Sequence, residues 1–196
     1  MRVLIACEES GVVSKAFLDN GHDSYSCDLI PTSSEDPEVI ERHIQGNCLD
    51  YICGDWDLVI GFPPCIHLSA SGARWFKEKR ESGVQQEAIE FFLSFTRIKS
   101  PWAIENPIGI MSTMFRKPDQ IIQPWQFGHP ESKSTCLWLS GLSNLTPTMI
   151  LEKPASGRWG NQTPSGQNKL GPSLERSKLR SKTYLGIARA MANQWS

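Results

Sequence analysis

The most constraining stretch of the chain is Asp57-Leu58-Val59-Ile60-Gly61-Phe62-Pro63-Pro64-Cys65. A short apolar, β-branched run stops at a glycine. Two prolines and a cysteine follow. The run reads as a buried strand that ends in a rigid loop. Proline fixes its own φ and pushes the residue before it out of the helical region. Pro63-Pro64 therefore holds Cys65 in one place, just past the carboxyl end of a strand. In open α/β sheets, ligands bind outside such strand ends. Taken alone, this segment leaves two readings of Cys65 open: a half-buried structural thiol, or a nucleophile.

The remaining segments extend the pattern. Arg2-Val3-Leu4-Ile5-Ala6-Cys7 reads as a first strand, Glu8-Glu9-Ser10-Gly11 as a tight loop, and residues 12–20 as a helix with Gly21 at its end. Strand, loop and helix in this order open a nucleotide-binding α/β unit, yet no GxGxxG is present. Ser24-Tyr25-Ser26-Cys27-Asp28 is a second strand ending in an acid. Such an acid either accepts hydrogen bonds from a ribose or caps a loop. Residues 37–44 read as a short helix with proline in its first turn, and residues 45–48 as a turn. Residues 66–81, with Arg74, Lys77, Lys79 and Arg80, read as a mobile loop over a site or an ordinary surface loop. Residues 83–98 form the clearest helix, with a stripe of Ala88, Phe91, Phe92 and Phe95. Trp102-Ala103-Ile104-Glu105-Asn106-Pro107 is a strand ending in a carboxylate and an amide. Residues 108–130 read as loop, 135–139 as a late strand, 141–172 as a long irregular segment, and 182–195 as a final helix.

Composition narrows the class. A chain of 196 residues, 39% of them hydrophobic, is expected to form one domain. It has no apolar run long enough to cross a membrane, and its first residues do not resemble a signal peptide, so a cytoplasmic protein is expected. The net charge of −1 does not announce a nucleic-acid binder. Residues 176–182 nevertheless carry four cations, Arg176, Lys178, Arg180 and Lys182, suited to a solvated face or a phosphate-contacting patch. The six cysteines contain no CxxC pair, and the histidines show no zinc spacing, so no metal is expected.

In this order the pieces resemble the C5-cytosine DNA methyltransferase family. The strongest match is Gly61-Phe62-Pro63-Pro64-Cys65-Ile66-His67-Leu68-Ser69-Ala70-Ser71-Gly72, which is similar to the family's catalytic loop. The second is the helix through Phe91 leading into Ala103-Ile104-Glu105-Asn106-Pro107. The resemblance implies a Rossmann-like, S-adenosylmethionine-dependent fold: an α/β domain with a mostly parallel sheet and helices on both faces. It implies Cys65 as nucleophile, Glu105 at the cytosine ring, and Lys133 in the place of a family arginine. Ala6, Cys7, Glu8, Ser10 and Gly11 stand where the family's glycine-rich cofactor loop lies, although only Gly11 keeps a glycine. Asp28 and Leu29 stand at the ribose, Asn47 and Cys48 at the adenine, and Phe91 against the adenine, with Pro64, beside the nucleophile, also on the cofactor side. Pro63, Ser69, Arg74, Asn106, Arg176 and Arg180 are the implied DNA-side residues.

One departure is large. In place of the family's target-recognition domain, the chain has only a loop-rich insertion at about 141–175 within the single domain 1–196. This leaves room for a partner protein or a homodimer to supply target recognition. It also leaves two alternatives: the same chemistry on a free cytosine nucleotide or single strand, and a non-catalytic nucleic-acid-binding subunit.

Overall fold

The computed structural model describes residues 1–164 and 181–196. It is an α/β protein built on a seven-stranded, mostly parallel mixed sheet. The strands are β1 (Arg2–Ala6), β2 (Asp23–Asp28), β3 (His43–Gln45), β4 (Leu58–Gly61), β5 (Trp102–Pro107), β6 (Gln120–Ile122) and β7 (Thr135–Ser140). The helices are α1 (Val12–Asp19), α2 (Pro37–Glu41), α3 (Phe76–Glu81), α4 (Val84–Ser94), the single turn α5 (Met111–Met114) and α6 (Leu185–Gln194). Strand order is β3-β2-β1-β4-β5-β7-β6. β1 to β5 run parallel, whereas β7 is antiparallel to β5 and to β6.

The period-two alternation of each strand sorts its side chains into two cores. Val3, Ile5, Leu58, Ile60, Ala103, Leu137 and Leu139 face one side and pack on α1 and α6 through Phe17, Ile187 and Met191. Leu4, Ala6, Val59, Trp102, Ile104, Cys136 and Trp138 face the other side, against Ile89, Phe92 and Phe95. Phe92 meets Trp138 edge-on at 5.1 Å between ring centroids. Helical material thus covers both faces, which is why the central strands read as continuous apolar runs. Gly61 has a steric reason to lack a side chain: a Cβ there would stand 2.5 Å from the Phe95 ring. No described helix is long and apolar enough to cross a membrane.

Three local expectations change. The helix expected over 37–44 stops at Glu41, and His43–Gln45 pairs with β2 as an edge strand. The irregular stretch 108–130 contains the three-residue strand β6. Both strands are too short for alternation to register, so only their pairing defines them. Residues 66–81 are not a plain loop: Ala70–Trp75 is a 3₁₀ stretch that runs into α3. The described part of the 141–175 insertion, residues 141–164, contains neither helix nor strand.

Candidate active site

After β1 the chain moves outward through β2 and β3, then returns to place β4 on the other side of β1. The strand order reverses there, so a crevice opens beyond the carboxyl ends of β1 and β4. Most of the expected site residues line it. A cavity of about 760 Å³ is lined by Cys65, Glu105 and Lys133 together with Pro63, Pro64, Ser69, Arg74 and Cys7. A smaller pocket of about 190 Å³ adjoins it, lined by Cys7, Asp28, Leu29, Asn47, Cys48, Pro64 and Phe91. A third hollow of about 380 Å³ brings Glu8 and Ser10 beside Cys7 and Cys65.

Cys65 is held by its neighbours' backbones. Phe62 still donates to Ala6 at 2.9 Å, but the two prolines cannot continue the ladder, and the strand ends. The buried Asn106 side chain donates to the Pro63 carbonyl at 2.8 Å, tying the end of β5 to the loop. The Cys65 carbonyl accepts from Leu68 and Ser69 at 3.0 and 2.9 Å, which makes a tight turn. Ile110 then donates to Leu68, and Ala70 to Ile108, so the turn is stapled to the segment after β5. The Cys65 side chain remains exposed. Over the cavity stand Trp75, 46% exposed, and the Arg74 guanidinium, 5.1 Å from the Trp75 ring centroid.

Glu105 projects from β5 into the same cavity. Burial pushes its carboxyl above the usual carboxylate range. The Lys133 charge and a hydrogen bond with Thr135 pull the other way. Cys65, Glu105 and Lys133 come from three separated segments, so their meeting is a product of the fold.

The β1 end is built differently. Cys7 has φ 60°, the one left-handed residue other than glycine among those described. Strain of this kind costs on the order of 1–3 kcal/mol and clusters at functional sites. The Cys7 and Cys48 sulfurs lie 3.4 Å apart. Their shared hydrogen bond, with burial added, pushes the Cys7 thiol well up, and the same bond lowers Cys48. Glu8 is buried and accepts from the Val13 and Ser14 N–H groups at 2.6 and 3.1 Å. Its carboxyl is pushed up to about 7, because desolvation outweighs the N–H groups that favour its charge. Gly11, at φ 67°, starts α1; a Cβ there would meet Val39 at 2.4 Å. Ala6 is wholly buried in β1. Neither Ala6 nor Gly11 lines the cavities described above. Asn47 uses its side-chain oxygen to cap the turn at Leu49, 3.1 Å away. Arg176 and Arg180 lie outside the described residues.

The pockets also take in residues to which the sequence assigns no individual role. Gly46, His67 and Ala88 complete the smaller pocket, and Trp75, Ser132, Asn161 and Tyr184 are among the residues that line the larger. His67 lines both, and its buried Nδ1 finds no hydrogen-bond partner among the described residues. Its place two residues after Cys65 was a usable signal. Asn161 offered none, because it lies in a stretch without periodicity.

No known protein-family model matches the chain, and no curated protein matches it.

Proposed function

We propose that the chain is an S-adenosylmethionine-dependent cytosine-C5 methyltransferase with a Rossmann-like fold, acting on DNA. The observation that carries this reading is the convergence of Cys65, Glu105 and Lys133 on one cavity, beside a pocket lined by Cys7, Asp28, Leu29, Asn47, Cys48, Pro64 and Phe91. The reversal of strand order at β1 and β4 supports a ligand site in this crevice.

The residues present fit the cofactor. The smaller pocket is mainly apolar, and its lining includes Phe91 together with the polar residues Asp28 and Asn47. That suits an adenosine, with Asp28 at the ribose hydroxyls. The α1 N-terminus, which could otherwise attract a diphosphate, already holds the Glu8 carboxyl. A phosphate-free nucleoside is therefore favoured over a dinucleotide. When bound, S-adenosylmethionine supplies an electrophilic methyl group.

The chain's own residues account for the rest. C5 of cytosine is a weak nucleophile. Addition of the Cys65 thiolate to C6 pushes the ring's π electrons toward N3 and C5 and makes C5 enamine-like. Glu105, whose carboxyl burial pushes above the usual carboxylate range, donates to N3 as charge builds there. Lys133 stabilises the charge at O2. After transfer, loss of the C5 proton and departure of the Cys65 thiolate restore the aromatic ring. A base within a duplex has to leave the stack to reach Cys65. Exposed Trp75, with Arg74 above it, offers a stacking and phosphate-binding surface at the mouth.

A free cytosine nucleotide or single strand is the second reading. It is favoured by the described part of the insertion, which packs on the site's own wall through Asn161 and Ser132. The test is mass spectrometry of nucleosides after the protein and S-adenosylmethionine are incubated with duplex DNA, single-stranded DNA or deoxycytidine monophosphate. 5-Methylcytosine from duplex DNA supports the proposal. Product from the nucleotide alone selects the second reading, and no product from any substrate rejects both.

A further inference from the structure

Lys133 sits in residues 131–134, which belong to no strand although β7 begins at Thr135. Two side-chain amides hold this segment, one at Lys133 and Ser134 and the other at Ser132. Gln123, just after β6, accepts from the Lys133 N–H at 3.0 Å and donates to the Ser134 hydroxyl at 2.7 Å. Its own N–H donates to the Gln126 side chain at 2.7 Å. From the opposite side, Asn161 accepts from the Ser132 N–H at 3.1 Å and donates to the Ser132 carbonyl at 2.9 Å. A single side chain thereby satisfies both backbone groups of Ser132, as a neighbouring strand would.

Asn161 is itself anchored. Trp159 stacks on Trp125, with 5.9 Å between centroids and 5° between planes. The Gly160 N–H donates to the Pro130 carbonyl at 3.2 Å. Trp159 and Asn161 belong to the irregular insertion, whereas Gln123 and Trp125 follow β6. Lys133 and Glu105 line the same cavity, and the lysine's charge acts on the carboxyl. A flexible lysine on an unpaired segment would spread that charge over many positions. Two amides closing on three consecutive residues concentrate it.

We propose that Gln123 and Asn161 are positioning residues whose side-chain amides clamp Ser132–Ser134 and so set Lys133 against Glu105. The insertion thus serves the site through its Trp159–Asn161 corner. The clamp is a property of the protein alone; only its catalytic consequence rests on the methyltransferase reading.

The experiment follows the Glu105 carboxyl by NMR titration of protein carrying ¹³C-labelled glutamate, without substrate or cofactor. Lys133→Met is expected to move the Glu105 midpoint upward, since a favourable positive charge is lost. Asn161→Ala and Gln123→Ala are expected to move it in the same direction with Lys133 intact. In the double amide variant, adding Lys133→Met is expected to produce little further rise, the non-additivity of groups acting through one another. Folded amide variants that titrate Glu105 like the parent overturn the clamp, as does a parent in which Lys133→Met leaves Glu105 unmoved. If Asn161→Ala does not fold, Asn161→Ser, which retains an acceptor, is read in the same way. Where methyl transfer is present, the amide variants lose about tenfold in kcat with an unchanged KM for the cofactor, as expected of misplaced catalytic groups. Absent transfer with intact coupling removes the methyltransferase reading and leaves the clamp standing. Transfer at the parent rate in both variants, with Glu105 shifted, removes the catalytic consequence of the clamp alone.

Discussion

Two neighbouring parallel strands, β1 and β4, each end in a cysteine at the same edge of the sheet, and the two thiols are treated in opposite ways. After β4, two prolines and a stapled turn leave Cys65 exposed at the cavity. After β1, a left-handed residue turns Cys7 inward, where its sulfur meets Cys48 and its thiol is pushed well up. Thiolates, not thiols, are nucleophiles. The Cys7 site therefore suits a wall, whereas Cys65 is accessible from the cavity. The residue type is shared; the backbone that delivers it decides the role.

The widest break in this comparison is expected from Cys65→Ala. It should abolish methyl transfer while S-adenosylmethionine still binds, as read by nucleoside mass spectrometry and calorimetric titration. Methylation that survives would remove Cys65 from the chemistry. Next in size is the buried acid beside Cys7. Glu8 stands near 4.5 when unfolded and about 7 when folded, so the folded state holds its proton more tightly. Its contribution is therefore lost as pH rises from about 4.5 through about 7, a change of about 3 kcal/mol. Urea unfolding at pH 5 and pH 8 should show the parent losing about 2.5 kcal/mol more stability than Glu8→Gln across that window. Parallel pH curves for the two proteins would refute the assignment.

Glu105→Gln is expected to slow turnover more than tenfold, because an amide cannot donate a proton to N3 and then take it back. A near-normal rate would place the acid elsewhere. The smallest effect is expected from Cys7→Ser, which should weaken cofactor binding by less than about tenfold and leave turnover nearly intact. Alkylation by iodoacetamide sharpens the same contrast, with Cys65 modified well before Cys7 in the folded protein. Equal rates would mean that the β1 end is open.

Much of the framework was readable along the chain. β1, β2, β4, β5 and β7 each carry enough apolar or β-branched residues to signal a strand, and α1, α4 and α6 show helical spacing. Cys65 and Glu105 stood out because each lies near a proline at the carboxyl end of an apolar run, which is a local signal. β3 and β6 were hidden by their length. The Cys7–Cys48 contact was hidden by topology: β2 lies between their strands, and the two sulfurs meet only beyond the strand ends.

By itself, the sequence determined where the longer strands and helices lie, and that a proline-braced cysteine follows β4. Those are consequences of φ restriction and hydrophobic period, which act over a few residues. Only the tertiary structure decided that Cys65, Glu105 and Lys133 share one cavity, that Glu8 closes the end of α1, and that Gln123 and Asn161 grip the segment bearing Lys133. Those arrangements depend on strand order and on hydrogen bonds between distant segments, which no local pattern encodes.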